Sequence, residues 1–273
     1  MTVPALPLAD PLALRLAGRP LLLLLDVDGT LSPIAERPEY AIVPPATQRV
    51  LVELIALPDT YVAIVSGRSA RDARRLVGVK DTWVIGNHGI EVARPNAQPA
   101  ARRDVVQYAD NIREAAERSS VIADRTPGVI VEDKRWTLSV HYRLADPAIV
   151  PALSAHVAEI AKQLGLRVTL GKQVLEIRPP VDVNKGTASI ALAQSLGALD
   201  PGGAVFCAGD DRTDEDAFRA LRLALPAAVT VYVGQDDAAL RTGAEFTVND
   251  PDEVRELLEG ILDRRRSLVA NWR

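Results

Sequence analysis

Leu21-Leu22-Leu23-Leu24-Leu25-Asp26-Val27-Asp28-Gly29-Thr30 is the stretch that decides the fold. Five leucines in a row show no polar alternation, the pattern of a parallel strand covered on both faces. The run is far too short to span a bilayer. Ligands of open α/β sheets bind beyond the carboxyl ends of strands, and residues two apart on a strand point to the same side. Asp26 and Asp28 are therefore expected to bring two carboxylates together where the sheet meets solvent. Gly29 lets the chain turn sharply there. An ordinary strand-ending turn would use the same residue types.

Working outward, short apolar runs at 61–65, 83–85, 204–207 and 229–233 read as further buried strands. Between them, residues 46–57, 70–77, 185–196, 215–223 and 253–265 place apolar side chains at helical spacing. This alternation predicts an α/β fold with a doubly wound parallel sheet. The middle differs. Helix patterns at 104–118 and 147–164 are each followed by two strand patterns, 129–133 with 137–142 and 167–170 with 173–178. Hairpins imply antiparallel pairing. Residues 103–179 are thus expected to form an inserted, smaller α+β domain, with 1–102 and 180–273 making a discontinuous core. Prolines 95, 99, 179 and 180 suit hinges, and the first twenty residues read as a loose leader or a surface helix.

At 273 residues and 48% hydrophobic, the chain can bury a sizeable core. A net charge of −4 without a basic stripe argues against nucleic-acid binding. An anionic substrate stays compatible, because a bound metal can supply positive charge. The single cysteine, Cys207, allows no internal disulfide and lies in an apolar run, so it reads as core. No cleavage site follows the leucines, so a cytoplasmic monomer without a membrane partner is expected.

Three more stretches carry chemistry. Ser66-Gly67-Arg68 follows the second strand and offers a hydroxyl, an open amide and a charge that could hold phosphate oxygens or order a substrate. A helix cap by Ser66 or Ser69 is the plainer reading. Lys185 opens a helix in Asn184-Lys185-Gly186-Thr187, where the dipole opposes a cation; neutralising a phosphoryl group would explain it, and so would a solvated surface position. Gly209-Asp210-Asp211-Arg212-Thr213-Asp214-Glu215-Asp216 crowds acids after a strand. Thr213 or Asp214 would cap the next helix well. The double aspartate calls for a cation, and oxygen ligands without paired histidines point to Mg²⁺ and not zinc. His88 has no nearby second histidine, His141 reads as a core residue with a satisfied hydrogen bond, and His156 as exposed. Trp83, Trp136 and Trp272 form no pattern.

In this order, Asp26-Val27-Asp28-Gly29-Thr30, Ser66, Lys185 and Gly209-Asp210-Asp211 resemble the four motifs of the haloacid dehalogenase superfamily of phosphohydrolases. That resemblance implies a Rossmann-like core with a cap inserted between the second and third motifs. A closer resemblance, over nearly the whole chain, is to the trehalose-6-phosphate phosphatases. It rests on Ser66-Gly67-Arg68, Gly86-Asn87-His88-Gly89-Ile90-Glu91, Glu132-Asp133-Lys134, His141-Tyr142-Arg143, Val174-Leu175-Glu176-Ile177-Arg178-Pro179 and Gly209-Asp210-Asp211-Arg212-Thr213-Asp214-Glu215.

The chemistry and the resemblance together imply roles. Asp26 is the nucleophile and Asp28 the acid and base. Lys185 and Ser66 steady the phosphoryl group. Mg²⁺ takes the Asp26 carboxylate, the Asp28 backbone carbonyl and Asp210, with Asp211 and Asp214 one layer out. Arg68 orders the substrate. By resemblance, Glu132, Lys134 and Glu176 hold glucose hydroxyls of trehalose 6-phosphate, and Arg143 and Lys172 meet the phosphate side; as bare sequence, each is an ordinary exposed charge. A phosphatase for sucrose phosphate, mannosyl-phosphoglycerate or a monosaccharide phosphate would share every core residue. A phosphoacceptor receiver domain would be about half as long and lack the insert, and the Asp26/Asp28 pair argues against a non-catalytic sugar-phosphate sensor.

Overall fold

In the computed structural model, which describes residues 10–171, 173–235 and 242–270, the leucine run forms a strand with all five side chains buried. The chain runs α1 (Asp10–Arg15), β1 (Leu21–Leu25), α2 (Pro45–Ile55), β2 (Thr60–Val65), α3 (Ala70–Val77), β3 (Trp83–Gly86), β4 (Glu91–Ala93) and β5 (Ala100–Ala101). Then come α4 (Ala109–Ala123), β6 (Ile130–Asp133), β7 (Leu138–His141), α5 (Val150–Gln163), β8 (Arg167–Gly171) and β9 (Val174–Arg178). It ends with α6 (Lys185–Ser195), β10 (Ala204–Gly209), α7 (Arg212–Ala224), β11 (Val229–Val233), β12 (Phe246–Val248) and α8 (Pro251–Ala270). Two compact units result, residues 1–99 with 183–273, and residues 100–182.

The first unit is built on a sheet of order β12-β11-β10-β1-β2-β3-β4-β5. Pairing is parallel from β12 through β3, and β4 runs antiparallel. Leu21, Leu23 and Leu25 pack with Leu51, Leu54, Val77, Leu258 and Leu262, while Leu22 and Leu24 pack on the other face with Leu192, Phe218 and Leu221. Helices therefore cover both faces, as the unalternating leucines require. Each buried leucine contributes about 1.5–3 kcal/mol by leaving water. Cys207 is buried beside them. The fold class expected from the sequence is the one found.

Some local readings change. The three-residue strands β4 and β12 are too short to show a period. The leader is no loose segment over its described part: Leu12 and Leu16 join the core, and Arg15 donates to the carbonyls of Ala227 and Ala228 and to both carboxylate oxygens of Glu245. Buried Arg265 of α8 donates to Gly18 O at 2.7 Å and Asp59 O at 2.9 Å, tying down the segments that lead into β1 and β2.

The second unit is a four-stranded antiparallel sheet of order β6-β7-β9-β8. Leu138, Val140, Leu175 and Ile177 pack on Ile112, Ala115, Leu153 and Val157 of α4 and α5. The alternate residues, including Glu132, Ser139, His141 and Glu176, fall on the opposite face.

Candidate active site

The order of the first sheet reverses at β1, with β2 on one side and β10 on the other. Such a switch point leaves a crevice at the carboxyl ends of the two central strands. β1 delivers Asp26 there and β10 delivers Asp210; the Asp26 amide donates to Ala208 O at 3.0 Å. Both carboxylates are buried, as is Asp214. Asp28 does not follow by strand alternation, since β1 stops at Leu25. Its side chain is 35% exposed and turns to Arg68, which donates to Asp28 Oδ1 and Oδ2 at 2.7 Å each and to Pro38 O at 2.9 Å. Gly29, at φ +92°, packs against Asp210: a Cβ there would sit 2.3 Å from Asp210 Oδ2.

Lys185 is the first residue of α6. Asn184 caps that helix, and the Asn184 and Thr187 side chains each take the other's backbone amide. The lysine is buried, and its Nζ lies 2.8 Å from Asp26 Oδ1 and 2.8 Å from Asp214 Oδ1. Two carboxylates thus outweigh the helix dipole that opposes a cation here. Burial works against the lysine's charge, yet Asp214 and Asp26 hold its pKa well above the usual value. Burial pushes the Asp26 carboxyl up to about 7; Lys185 pulls it down, and Asp210 and Asp211 push it further up. Burial raises Asp214 well above the carboxylate range against the same lysine.

The start of α7 differs from its expected cap. Asp211, not Thr213 or Asp214, is the cap: Asp211 Oδ1 accepts from the Thr213 amide at 2.7 Å, the Thr213 hydroxyl at 2.7 Å and the Asp214 amide at 3.2 Å. Burial opposes its charge, but Lys185 and these donors hold it below the usual carboxylate range. Asp214 Oδ2 in turn accepts from the amides of Asp210 and Asp211 at 3.2 Å each. Gly209 makes this approach possible, since a Cβ there would meet the Asp214 carboxyl at 2.2 Å.

Ser66 follows β2, whose Ile64 is level with Leu25 of β1, so it stands at the same sheet end as Asp26. It is buried, and its Oγ accepts from the Arg68 amide at 3.1 Å; Ser69 is the residue that caps α3. The loop after β3 holds this turn in place. The Asn87 amide donates to Arg68 O, the His88 amide to Ser66 O, and Glu91 accepts from the Ala70 amide. His88 is buried and His156 exposed, the latter bonded to Ala152 O.

One carboxylate oxygen from each of Asp26, Asp210 and Asp214 lies within 4.8 Å of the other two. Lys185 sets one ammonium against these three acids, and the upward push on Asp26 and Asp214 means that further positive charge beside them would favour their ionised forms. Such an all-oxygen donor set fits a hard divalent cation. Asp214 already receives Lys185 on one oxygen and two amides on the other. Both Asp214 oxygens are thus engaged within the protein, and each of the three acids offers one oxygen to the cluster.

In the second unit, Glu132, Ser139, Glu176 and Thr169 stand level across the four strands. Lys134 Nζ lies 4.0 Å from Glu132 Oε2 and 3.7 Å from Glu176 Oε1. Arg178, which the sequence reading passed over, pairs with Glu176 Oε2; its place two residues along the same strand was the available signal. Arg143 lies beyond the end of β7 and donates to Gln173 Oε1 at 3.1 Å. Lys172 falls outside the described residues. His141 is no core residue: it is 24% exposed, and its Nε2 is 2.9 Å from Glu132 Oε2.

Comparison with known proteins gives the family. The family model described as trehalose-phosphatase matches residues 24–252. The chain is 34% identical over 261 residues to probable trehalose-phosphate phosphatase 4 of Oryza sativa subsp. japonica, covering 94% of this chain and 70% of that protein. It is 36% identical over 255 residues to the trehalose-phosphate phosphatase of Mycobacterium avium, covering 91% of this chain and 64% of that one. Among solved structures, the C-terminal domain of trehalose-6-phosphate phosphatase from C. albicans superposes with a TM-score of 0.77 at 26% identity, covering 95% and 98% of the two chains.

Proposed function

The chain belongs to the trehalose-phosphatase family, a family of phosphoric monoester hydrolases, and on that premise we propose that it hydrolyses trehalose 6-phosphate to trehalose and phosphate with the Asp26 carboxylate as nucleophile. Asp26 attacks phosphorus, the bond to the sugar oxygen breaks, and an aspartyl-phosphate forms. Asp28 gives its proton to the departing sugar oxygen and then takes one from the water that hydrolyses the intermediate. Lys185 holds Asp26 in line and, with Ser66, steadies the phosphoryl oxygens. Arg68 orders this end of the site through Asp28.

We assign the cation to Mg²⁺, held by the Asp26 carboxylate, the Asp28 backbone carbonyl and Asp210. Bound there, the ion would draw charge from the phosphoryl oxygens and let two anions approach; without it their repulsion is several kcal/mol, about 4 kcal/mol per pair of unit charges 4 Å apart at an effective dielectric near 20. We assign the sugar hydroxyls to Glu132, Lys134 and Glu176 on the polar face of the second unit's sheet. Arg143 and Lys172 are assigned to the phosphate side.

One observation carries this reading: Lys185 within 2.8 Å of Asp26 at the switch point of the sheet, with Asp210 of the neighbouring strand beside it. Its test is phosphate release across a panel of trehalose 6-phosphate, sucrose 6-phosphate, glucose 6-phosphate and mannosyl-phosphoglycerate with Mg²⁺. The reading expects trehalose 6-phosphate to have the highest kcat/KM, and a clear preference for another ester would overturn the substrate.

A further inference from the structure

Strand pairing in the second unit sets Ile130 opposite His141 and Glu132 opposite Ser139. Glu132 and His141 are thus diagonal neighbours on one face of adjacent strands, a separation that long side chains bridge. The gap closes to 2.9 Å between His141 Nε2 and Glu132 Oε2. A carboxylate can only accept, so Nε2 is the ring nitrogen that carries the proton and donates. The same Glu132 oxygen faces Lys134 Nζ at 4.0 Å. His141 contributes nothing to the apolar core, which lies on the other face of its strand with Leu138 and Val140. A partly buried imidazole off the apolar core, with its donor spent on one carboxylate, serves that carboxylate.

We propose that His141 is a positioning residue for sugar recognition, its Nε2–H holding the Glu132 carboxylate in the one orientation that meets the sugar hydroxyls. The proposal rests on the assignment of Glu132 to those hydroxyls. A glutamate has three rotatable bonds, and fixing them only at the moment of binding costs rotamer freedom. With Lys134 on the same oxygen, His141 fixes the side chain in advance, which is how a second layer of side chains tightens a site. Lys134 at 4.0 Å attracts that oxygen without a directional bond, whereas the imidazole at 2.9 Å sets its direction.

The test compares wild type with His141→Leu, His141→Gln, Glu132→Gln and the His141→Leu/Glu132→Gln double variant. For each, kcat/KM is measured with trehalose 6-phosphate and with p-nitrophenyl phosphate, and thermal unfolding is followed. His141→Leu is expected to lower the sugar-phosphate value about ten- to a hundredfold, the range for a hydrogen bond to a charged group. The small ester, which has no hydroxyls to recognise, should change less than about threefold. Gln can donate from a similar position, so His141→Gln should recover most of the loss at an unchanged unfolding temperature. In the Glu132→Gln background, His141→Leu should cost little more, since residues that act through one another are not additive. The proposal is overturned if His141→Leu leaves the sugar phosphate untouched, if both esters fall together, if Gln fails to rescue, or if the two losses multiply. A harmless Glu132→Gln would instead remove the hydroxyl assignment beneath it. A damaging Glu132→Gln beside a harmless His141→Leu leaves that assignment standing and removes only His141.

Discussion

Arg68 grips Asp28 by both carboxylate oxygens, its Nε on Oδ2 and a terminal nitrogen on Oδ1, each at 2.7 Å. A planar guanidinium meeting a carboxylate in this way fixes direction as well as distance. Arg68 is itself fixed, since it also donates to Pro38 O and its backbone carbonyl accepts from the Asn87 amide. Its guanidinium is thus engaged with the proposed acid and base, where the sequence pointed to phosphate oxygens or the substrate.

This pairing predicts a leaving-group effect. A sugar alkoxide needs a proton to depart, whereas p-nitrophenolate leaves without one. Arg68→Ala should lower kcat for trehalose 6-phosphate by about tenfold or more, within the span of a general acid's contribution, and p-nitrophenyl phosphate turnover by less than about threefold. Equal losses on both esters would mean that Arg68 acts on the phosphate they share.

Removing metal should abolish turnover. With three buried acids clustered and Lys185 on two of them, exhaustive EDTA treatment should leave no activity, and Mg²⁺ should restore it. Asp210→Ala should raise the Mg²⁺ concentration for half-maximal activity at least about tenfold, the loss of one charged ligand. Full activity after EDTA would refute the cation assignment.

A pH effect on stability follows from Arg15 and Glu245, 2.7 Å apart. The hydrogen bond from Arg15 holds the Glu245 carboxyl below its usual 4.5, although partial burial opposes this. A depressed folded-state pKa contributes stability above the unfolded value and loses it as pH falls through the folded one. Glu245→Gln should therefore cost about 0.5–1 kcal/mol at neutral pH, discounted for solvent screening. Urea midpoints of the two proteins should converge below about pH 4. A constant gap across that range would contradict the linkage.

How much of this was legible in the sequence depends on where each residue stands. Asp26, Ser66, Lys185 and Asp210 each end a strand or open a helix, so apolar runs and helix starts locate them. The alternation of Leu138, Val140, Leu175 and Ile177 likewise tells which face of the second sheet is polar. What is missing from the sequence is side-chain pairing across long separations. Asp214 reads as a helix cap until Lys185, 29 residues away in sequence, is seen on it. Arg68 reads as a substrate residue until Asp28, 40 residues away, is seen beneath it. His141 reads as core because a mid-strand histidine gives no sign of its partner until the register with β6 sets it diagonal to Glu132.

The central claim is that Asp26 forms the bond to phosphorus, and the most direct measurement is the rate of phosphate release from trehalose 6-phosphate by Asp26→Asn at saturating Mg²⁺. Asparagine keeps the shape of the side chain but lacks the attacking oxygen, so the fold should persist, as the unfolding temperature would show. The account predicts a loss of more than about four orders of magnitude, since removing a nucleophile forfeits most of the barrier reduction. Turnover within about tenfold of wild type would contradict it.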